Sequence, residues 1–280
     1  DIDFSHPEVR EEVIRWGKWV VNELKIDGFR MDAVKHIKDE FIAEFLTQVR
    51  AAYGEEFYSV GEYWRNDLEK LKEYLDNVGY KTDLFDVGLH FNMYDASKKK
   101  KDYDLREIFE HTIVATNPMA AVTFVDNHDS QKGSALESQV DSWFIPHSYA
   151  IILLSKDGYP CLFYGDYYGV GGEKSPHQWI IDKLLEVRRI HAYGEQINHL
   201  DNPNVIAIQR TGRDEWTGCV AVLSNSEEEE EIQIELGKEQ AGQVWQEVTG
   251  SGYEDIVIDE EGNANFKVES EKISVWIRKS

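Results

Sequence analysis

Ile26-Asp27-Gly28-Phe29-Arg30-Met31-Asp32 is the stretch that decides the fold. It is short, apolar at Ile26, Phe29 and Met31, and ends on a carboxylate. Upstream, Ser5 and Glu8 stand at capping-box spacing with Pro7 between them, which predicts a helix start. Val9, Val13, Trp16, Val20 and Leu24 then recur three and four apart, the period of one helix face. Downstream, Phe41, Phe45, Val49 and Tyr53 predict a second helix, closed by Gly54. A short apolar run between two amphipathic helices reads as one unit of a parallel α/β protein.

The rhythm repeats along the chain. Phe57–Gly61 is β-like, and Leu68, Leu71 and Leu75 mark a helix. Strands are predicted at Leu84–Val87, Ala120–Asp126 and Tyr159–Tyr164. Helices are predicted over Leu105–Thr112 and Trp143–Leu154, the second closed by Gly158. Ser175-Pro176 starts a last helix with Ile180, Leu184 and Val187 inward, ending at Gly194. Five strands with crossover helices imply a parallel sheet. The pattern changes near residue 200. Alternating runs at Val205–Ile208, Val220–Leu223, Ile232–Ile234 and Ile273–Ile277 are separated by turn signals such as Gly250-Ser251-Gly252. We read residues 1–197 as part of an α/β barrel and 198–280 as an antiparallel β-sandwich.

Composition narrows the function. The chain has 280 residues and a formal net charge of −23, which repels phosphate backbones and argues against nucleic acid. A neutral polymer such as a polysaccharide suits this surface. No stretch of about 20 apolar residues is present, so no membrane span is expected. Cys161 and Cys219 are far apart and read as free, buried thiols. The acidic run Glu227–Glu231 reads as a solvated strand edge.

In a parallel β/α barrel the chemistry gathers at the carboxyl ends of the strands. Asp32 ends the first strand, Glu62 the second, and His128-Asp129 follow the fourth. Side chains alternate along a strand, so Arg30 and Asp32 point the same way while Phe29 and Met31 face the helices. An arginine beside Asp32 favours its ionised form, which suits a nucleophile. Glu62 lies in Gly61-Glu62-Tyr63-Trp64, where aromatic walls disfavour a bare charge, which suits a proton donor. Two carboxyl groups with opposed demands are what glycoside hydrolysis uses. Singly, an acid at a strand end is most often a helix cap, a lone histidine is structural, and a tryptophan is core or rim. The set on consecutive units carries the reading.

Asp27-Gly28-Phe29-Arg30-Met31-Asp32-Ala33-Val34-Lys35-His36 resembles the strand-four motif of the α-amylase family. Gly61-Glu62-Tyr63-Trp64 resembles its strand-five motif, and Phe124-Val125-Asp126-Asn127-His128-Asp129 its strand-seven motif. Gly158-Tyr159-Pro160 leading to Phe163-Tyr164-Gly165-Asp166 is similar to its strand eight. The resemblance spans essentially the whole chain, and the nearest kin look like bacterial liquefying amylases and their intracellular relatives. It implies strands four to eight of a (β/α)8 barrel followed by a β-sandwich. It implies retaining endo-hydrolysis of α-1,4-glucan, with Asp32 as nucleophile, Glu62 as acid and base, and Asp129 binding the sugar in the transition state. Arg30 and His128 would stand beside these, and Lys35, His36 and Trp64 would contact the leaving-group side. Starch and maltooligosaccharides are the implied substrates. An oligosaccharide-forming amylase, an α-glucosidase, a transglycosylase or a non-catalytic sugar-binding homologue are the alternatives.

The resemblance also implies calcium. Asp1 matches a ligand position, His36 matches one that binds through its carbonyl, and Asp3 matches a ligand of a second ion. Ser5 stands where thermostable members carry another acid, and Asn204 and Asn225 stand where some members carry acids for a further ion, so only the first site is expected. Three barrel strands and the excursion called domain B have no counterpart in these residues. Five strands cannot close a barrel, so the expected partner is an N-terminal half, without which this segment should misfold or be inactive. Extracellular starch points to secretion, and the free cysteines and intracellular relatives to the cytoplasm.

Overall fold

A computed structural model describes residues 2–214 and 216–279. The chain divides into two compact units, one formed by residues 1–89 with 111–123, the other by residues 90–110 with 124–280.

The first unit begins with α1 (Pro7–Leu24). Pro7 occupies its first turn and His6 its N-cap, without a side-chain cap, so the capping box expected from Ser5 and Glu8 does not form. The Ser5 amide instead donates to Asp3 Oδ1 at 2.9 Å. The buried positions of α1 are Gly17 and Val21, while Trp16 and Leu24 are exposed. The expected face is therefore rotated. Gly17 sets this contact, because a Cβ there would lie 2.5 Å from the Phe45 ring.

The strand β1 (Gly28–Met31) follows, then α2 (Asp39–Tyr53), β2 (Tyr58–Gly61), α3 (Leu68–Asn77) and β3 (Asp83–Phe85). Phe41, Phe45 and Val49 of α2 are buried, as their spacing predicts, and Gly54 ends the helix with φ 111°. β1 pairs in parallel with β2, β2 with β3, and β3 with β4 (Ala121–Phe124). Gly28 is required at its position, since a Cβ would come within 2.7 Å of the Tyr58 carbonyl oxygen.

Two expectations fail between β3 and β4. Val87 opens a helix, α4 (Val87–Lys99), instead of ending a strand. Among its buried positions Leu89, Met93 and Ala96 lie four and three apart. The helix expected over Leu105–Thr112 shrinks to one 3-10 turn at Leu105–Glu107. Asp104 caps that turn through the Arg106 amide, and His111 adopts a left-handed φ of 57° that no helix continues through. Thr112 then caps a short helix, α5 (Ile113–Thr116).

The second unit holds α6 (Ile145–Leu154), β5 (Tyr159–Cys161), α7 (Tyr164–Tyr168) and α8 (Gln178–Ile190). The expected strand over Tyr159–Tyr164 stops early because Tyr164 begins α7. Ile180, Leu184 and Val187 of α8 are buried, as predicted. The antiparallel part has eight strands among the described residues: β6 (Gln196–Asn202), β7 (Val205–Arg210), β8 (Cys219–Ser224), β9 (Glu230–Glu235), β10 (Val244–Glu247), β11 (Ile256–Val257), β12 (Asn263–Val268) and β13 (Ile273–Arg278). Six form one sheet in the order β11-β10-β13-β8-β7-β6, and β12 pairs with β9. Ile234, Phe266 and Val268 pack against Val220, Val222, Trp245 and Trp276, which makes the two layers a sandwich. Cys219 is buried but Cys161 is only half-buried; both are free thiols.

Candidate active site

The three sequence-selected carboxylates divide between the units: Asp32 and Glu62 belong to the first, Asp129 to the second.

In the first unit the parallel ladder places Met31 opposite Gly61. Asp32 and Glu62 are thus the first residues beyond two neighbouring strands. The Glu62 amide donates to the Met31 carbonyl at 2.8 Å, and the Val34 amide to the Glu62 carbonyl at 3.0 Å. Between them the chain turns sharply: Ala33 has φ 48°, a left-handed conformation a non-glycine residue adopts only at a cost. This turn aims the Ala33 amide at Glu62 Oε2, 3.0 Å away. Glu62 is 5% exposed, whereas the Asp32 side chain is 70% exposed. One guanidinium serves both. Arg30 Nη1 pairs with Asp32 Oδ1, and Arg30 Nη2 lies 3.3 Å from Glu62 Oε1. The second contact is an ion pair without hydrogen-bond geometry, for Glu62 Oε1 has no hydrogen-bond partner among the described residues. Arg30 and Asp32 thus share a side, as strand alternation predicts, and Phe29 packs on Phe45 and Phe57 behind the strand.

The Tyr63 ring meets that of Tyr74 at 5.1 Å with a tilt of 55°, and the polar contacts of the Glu62 carboxylate are Arg30 and the Ala33 amide. Trp64 is half-buried, and its carbonyl accepts from Lys35 Nζ at 3.1 Å. That links Lys35 and Trp64 across the two strand ends. His36 is exposed in the 3-10 turn Val34–His36, its amide donating to the Ala33 carbonyl at 3.0 Å.

In the second unit Asp129 sits in a tight loop after β4. Asn127 Oδ1 accepts from the amides of Asp129 at 2.8 Å and Ser130 at 2.9 Å. His128 Nε2 lies 3.2 Å from Asp129 Oδ2, and both side chains are open to solvent. Beneath the loop lies a group the sequence quoted without assigning a role. Asp126 is 2% exposed. Its Oδ1 accepts from Ser130 Oγ at 2.7 Å, and its carboxylate accepts from the Val140 amide at 3.2 Å. Ser130 Oγ in turn accepts from the Asn127 amide at 3.0 Å. Burial and the neighbouring Asp166 push Asp126 up to about 8. Burial raises Asp166 to about 6 against the Tyr149 hydroxyl, which donates to it at 2.8 Å. For Asp126 the one signal was position, two residues before His128, whereas Asp166 lies inside α7 next to no nominated residue.

The metal candidates fare less well. Asp1 lies outside the described residues. Asp3 is exposed, and its Oδ1 is engaged by the Ser5 amide, which holds the carboxyl below its usual value. Among the described residues no group of three or more His, Cys, Asp or Glu side chains is arranged to hold a metal. Calcium takes six to eight oxygen ligands. The Asp3 carboxylate and the His36 carbonyl are suitable donors but too few, so these residues alone do not fit the ion. Asn204 and Asn225 oppose one outright. Asn225 Nδ2 donates to the carbonyls of Lys100 and Tyr103 at 2.8 Å each, and Asn204 Nδ2 to Lys101 at 2.7 Å. N–H donors occupy the carbonyl oxygens a cation would need.

Acids at the ends of adjacent parallel strands, in a chain that ends in a β-sandwich, define an α/β protein with a carboxylate site. The chain belongs to the alpha-amylase family: the model of the alpha amylase catalytic domain matches residues 1–215. It is 43% identical over its full length to glucan 1,4-alpha-maltohexaosidase of Bacillus sp. strain 707, covering 54% of that protein. It is 39% identical over its full length to the alpha-amylase of Bacillus licheniformis, covering 56% of it. It is 40% identical over 99% of its length to the cytoplasmic alpha-amylase of Escherichia coli K12, covering 58% of it. The chain therefore spans about half the length of the curated relatives it matches. Among solved structures, the Geobacillus thermoleovorans alpha-amylase complexed with acarbose superposes with a TM-score of 0.75 over 100% of this chain and 66% of that one. At 20% identity that likeness concerns the fold. The coverage fits part of a barrel followed by an antiparallel domain. No helix is long and apolar enough to cross a membrane among the described residues.

Proposed function

We propose that the protein carrying this segment hydrolyses internal α-1,4 bonds of starch and maltooligosaccharides with retention of anomeric configuration. One observation carries the reading: an exposed Asp32 and a buried Glu62 end adjacent parallel strands and share the Arg30 guanidinium. Retaining glycosidases need two carboxyl groups close together, one to attack and one to pass a proton. Asp32, open to the solvent side and paired with a fixed cation, is the nucleophile. Glu62, buried, protonates the leaving oxygen and then takes a proton from water. Asp129 holds the sugar hydroxyls with His128. Lys35, His36 and Trp64 line the leaving-group side.

A second reading is favoured by the maltohexaosidase relative, which is an oligosaccharide-forming type by name. Both readings require the barrel to be completed by an N-terminal half. Hydrolysis of a blocked maltoheptaoside by the full-length protein, followed by proton NMR, tests them. Internal cleavage with the α-anomer appearing first is the expected result, and a predominant single product length would move the assignment to the second reading. The β-anomer appearing first would defeat the retaining mechanism.

Calcium belongs to this proposal as one structural ion, with Asp1 and the His36 carbonyl contributing some of its oxygens and the rest of the full-length protein supplying the others. Its removal by chelation should lower the melting temperature of the full-length protein by several degrees, and re-addition of calcium alone should restore it. An unchanged melting temperature rules the ion out. Both compartments remain compatible with this activity, secretion being the one we propose because starch is extracellular.

A further inference from the structure

The net charge of −23, from 53 acidic and 30 basic residues, makes an arginine without an acid beside it unusual in this chain. Two such arginines, Arg188 and Arg210, meet at one pocket of about 640 Å³ in the second unit, with Arg189 and its neighbour Glu186 also on the wall. Arg210 is 6% exposed. Its Nη1 donates to the Leu154 carbonyl at 3.1 Å and its Nη2 to the Gly194 carbonyl at 2.9 Å, while its Nε has no hydrogen-bond partner among the described residues. Arg188, half-buried, donates through Nη1 to the carbonyl of Leu153 and, at 3.5 Å, to that of Ser155. Arg189 is exposed at the rim.

Part of this is structural. Leu153, Leu154 and Ser155 form the C-terminal end of α6, whose unpaired carbonyls attract cations. A helix end supplies only about half a negative charge. Two guanidinium groups converge on it, so most of their charge stays unbalanced. The acids of the pocket wall are already engaged: Asp182 accepts from the Tyr167 hydroxyl at 2.5 Å and Glu186 from Lys183 Nζ at 2.6 Å. Lys156 is paired with Glu195 at 2.7 Å. Asp157 and Glu195 act on Arg210 only at longer range. Burial disfavours the charged form of both Arg188 and Arg210, which is the condition a bound anion would relieve. Ser155, also 6% exposed, adds a buried hydroxyl without a hydrogen-bond partner among the described residues. Leu185 and Tyr193 supply an apolar wall.

We propose that this pocket binds a small oxyanion, a phosphate monoester or a carboxylate, through Arg188, Arg210 Nε and the Ser155 hydroxyl, with its organic part against Leu185 and Tyr193. Guanidinium forks match both groups in geometry.

Titration calorimetry of the full-length protein tests this with phenyl phosphate and benzoate, which share a ring and differ in the oxyanion, at ionic strength matched with chloride. Saturable binding of one of them at one site is expected, and whichever binds tighter assigns the anion class. Arg188→Gln keeps an amide donor for the α6 carbonyls and should weaken binding at least about tenfold. Should that variant fail to fold, Arg189→Gln and Ser155→Ala, which leave the carbonyl caps intact, should each weaken it about threefold. Absence of saturable binding by the wild type, or unchanged affinity in the folded variants, overturns the site.

Discussion

Glu62→Gln in the full-length protein should lose at least about a thousandfold in kcat on an unactivated maltooligosaccharide, with little change in KM. The substitution is nearly isosteric. Its amide oxygen can still accept the Ala33 amide now 3.0 Å from Oε2, so the Asp32–Val34 turn keeps its anchor. What disappears is the proton for the leaving oxygen and the negative charge beside Arg30 Nη2. A sugar with a leaving group that needs no protonation, such as a glucosyl fluoride, should recover most of the first step. It should then stall as a covalent adduct on Asp32, visible as a mass increase of one glycosyl unit. That adduct separates loss of the acid from loss of the fold, which would abolish both substrates. If Glu62→Gln cleaves the unactivated substrate as fast as wild type, Glu62 is not the proton donor and the roles assigned to the strand-end pair fail together.

The strand-end acids were legible because a parallel strand constrains its own last residue. Gly28–Met31 and Tyr58–Gly61 are each four residues long, and both end one residue before a carboxylate. Alternation then fixes Arg30 on the same side as Asp32. The sandwich strands Val205–Arg210 and Cys219–Ser224 were visible as β-branched runs, but Asn263–Val268, with Asn265 and Lys267 on its open face, was not. Helix faces were less secure. α1 turns its Gly17 side to α2 because the Phe45 ring occupies the space a Cβ would need, and no apolar periodicity announces a glycine contact. α4 was missed for a related reason: Asn92, Asp95 and the lysines from Lys98 on dilute its apolar positions, and its buried set mixes Val87, Leu89, Met93 and Ala96 with the polar His90 and Ser97. Polar function that acts from below a loop leaves no pattern at all. Asp126 reads as one more acid in Phe124–Asp129, and only the fold shows that it is buried and touched by Ser130 and Val140.

Asp126 should therefore govern how stability depends on pH, and its two simplest substitutions should part company. In the folded protein it is held at about 8, by burial first and by Asp166 second. Unfolded, an aspartate titrates near ~3.9. Between these values the folded state keeps a proton that the unfolded chain has released, so stability falls as pH rises through the window and is fully present only below it. Asp166, raised to about 6, acts in the same direction. Asp126→Asn is neutral at every pH and can still accept from Ser130 Oγ, so its stability should change less between pH of about 4 and 8, gaining on wild type as pH rises by an amount on the order of a few kcal/mol. Asp126→Ala should lose roughly 2–4 kcal/mol at pH of about 5, because it strands Ser130 Oγ and the Val140 amide in the interior and opens a cavity. Its catalytic effect follows the same chain of contacts. Asp126 fixes Ser130, Ser130 fixes the Asn127 amide, and Asn127 Oδ1 fixes the amide of Asp129. Loss of the first contact should lower kcat about ten- to a hundredfold through Asp129 while Asp126→Asn stays within a few-fold of wild type. Urea melts at three pH values, with kcat measured on the same samples, decide it. A pH–stability curve that is identical in wild type and Asp126→Asn would mean that Asp126 is ionised in the fold, and that the loop beneath Asp129 is held by charge and not by a retained proton.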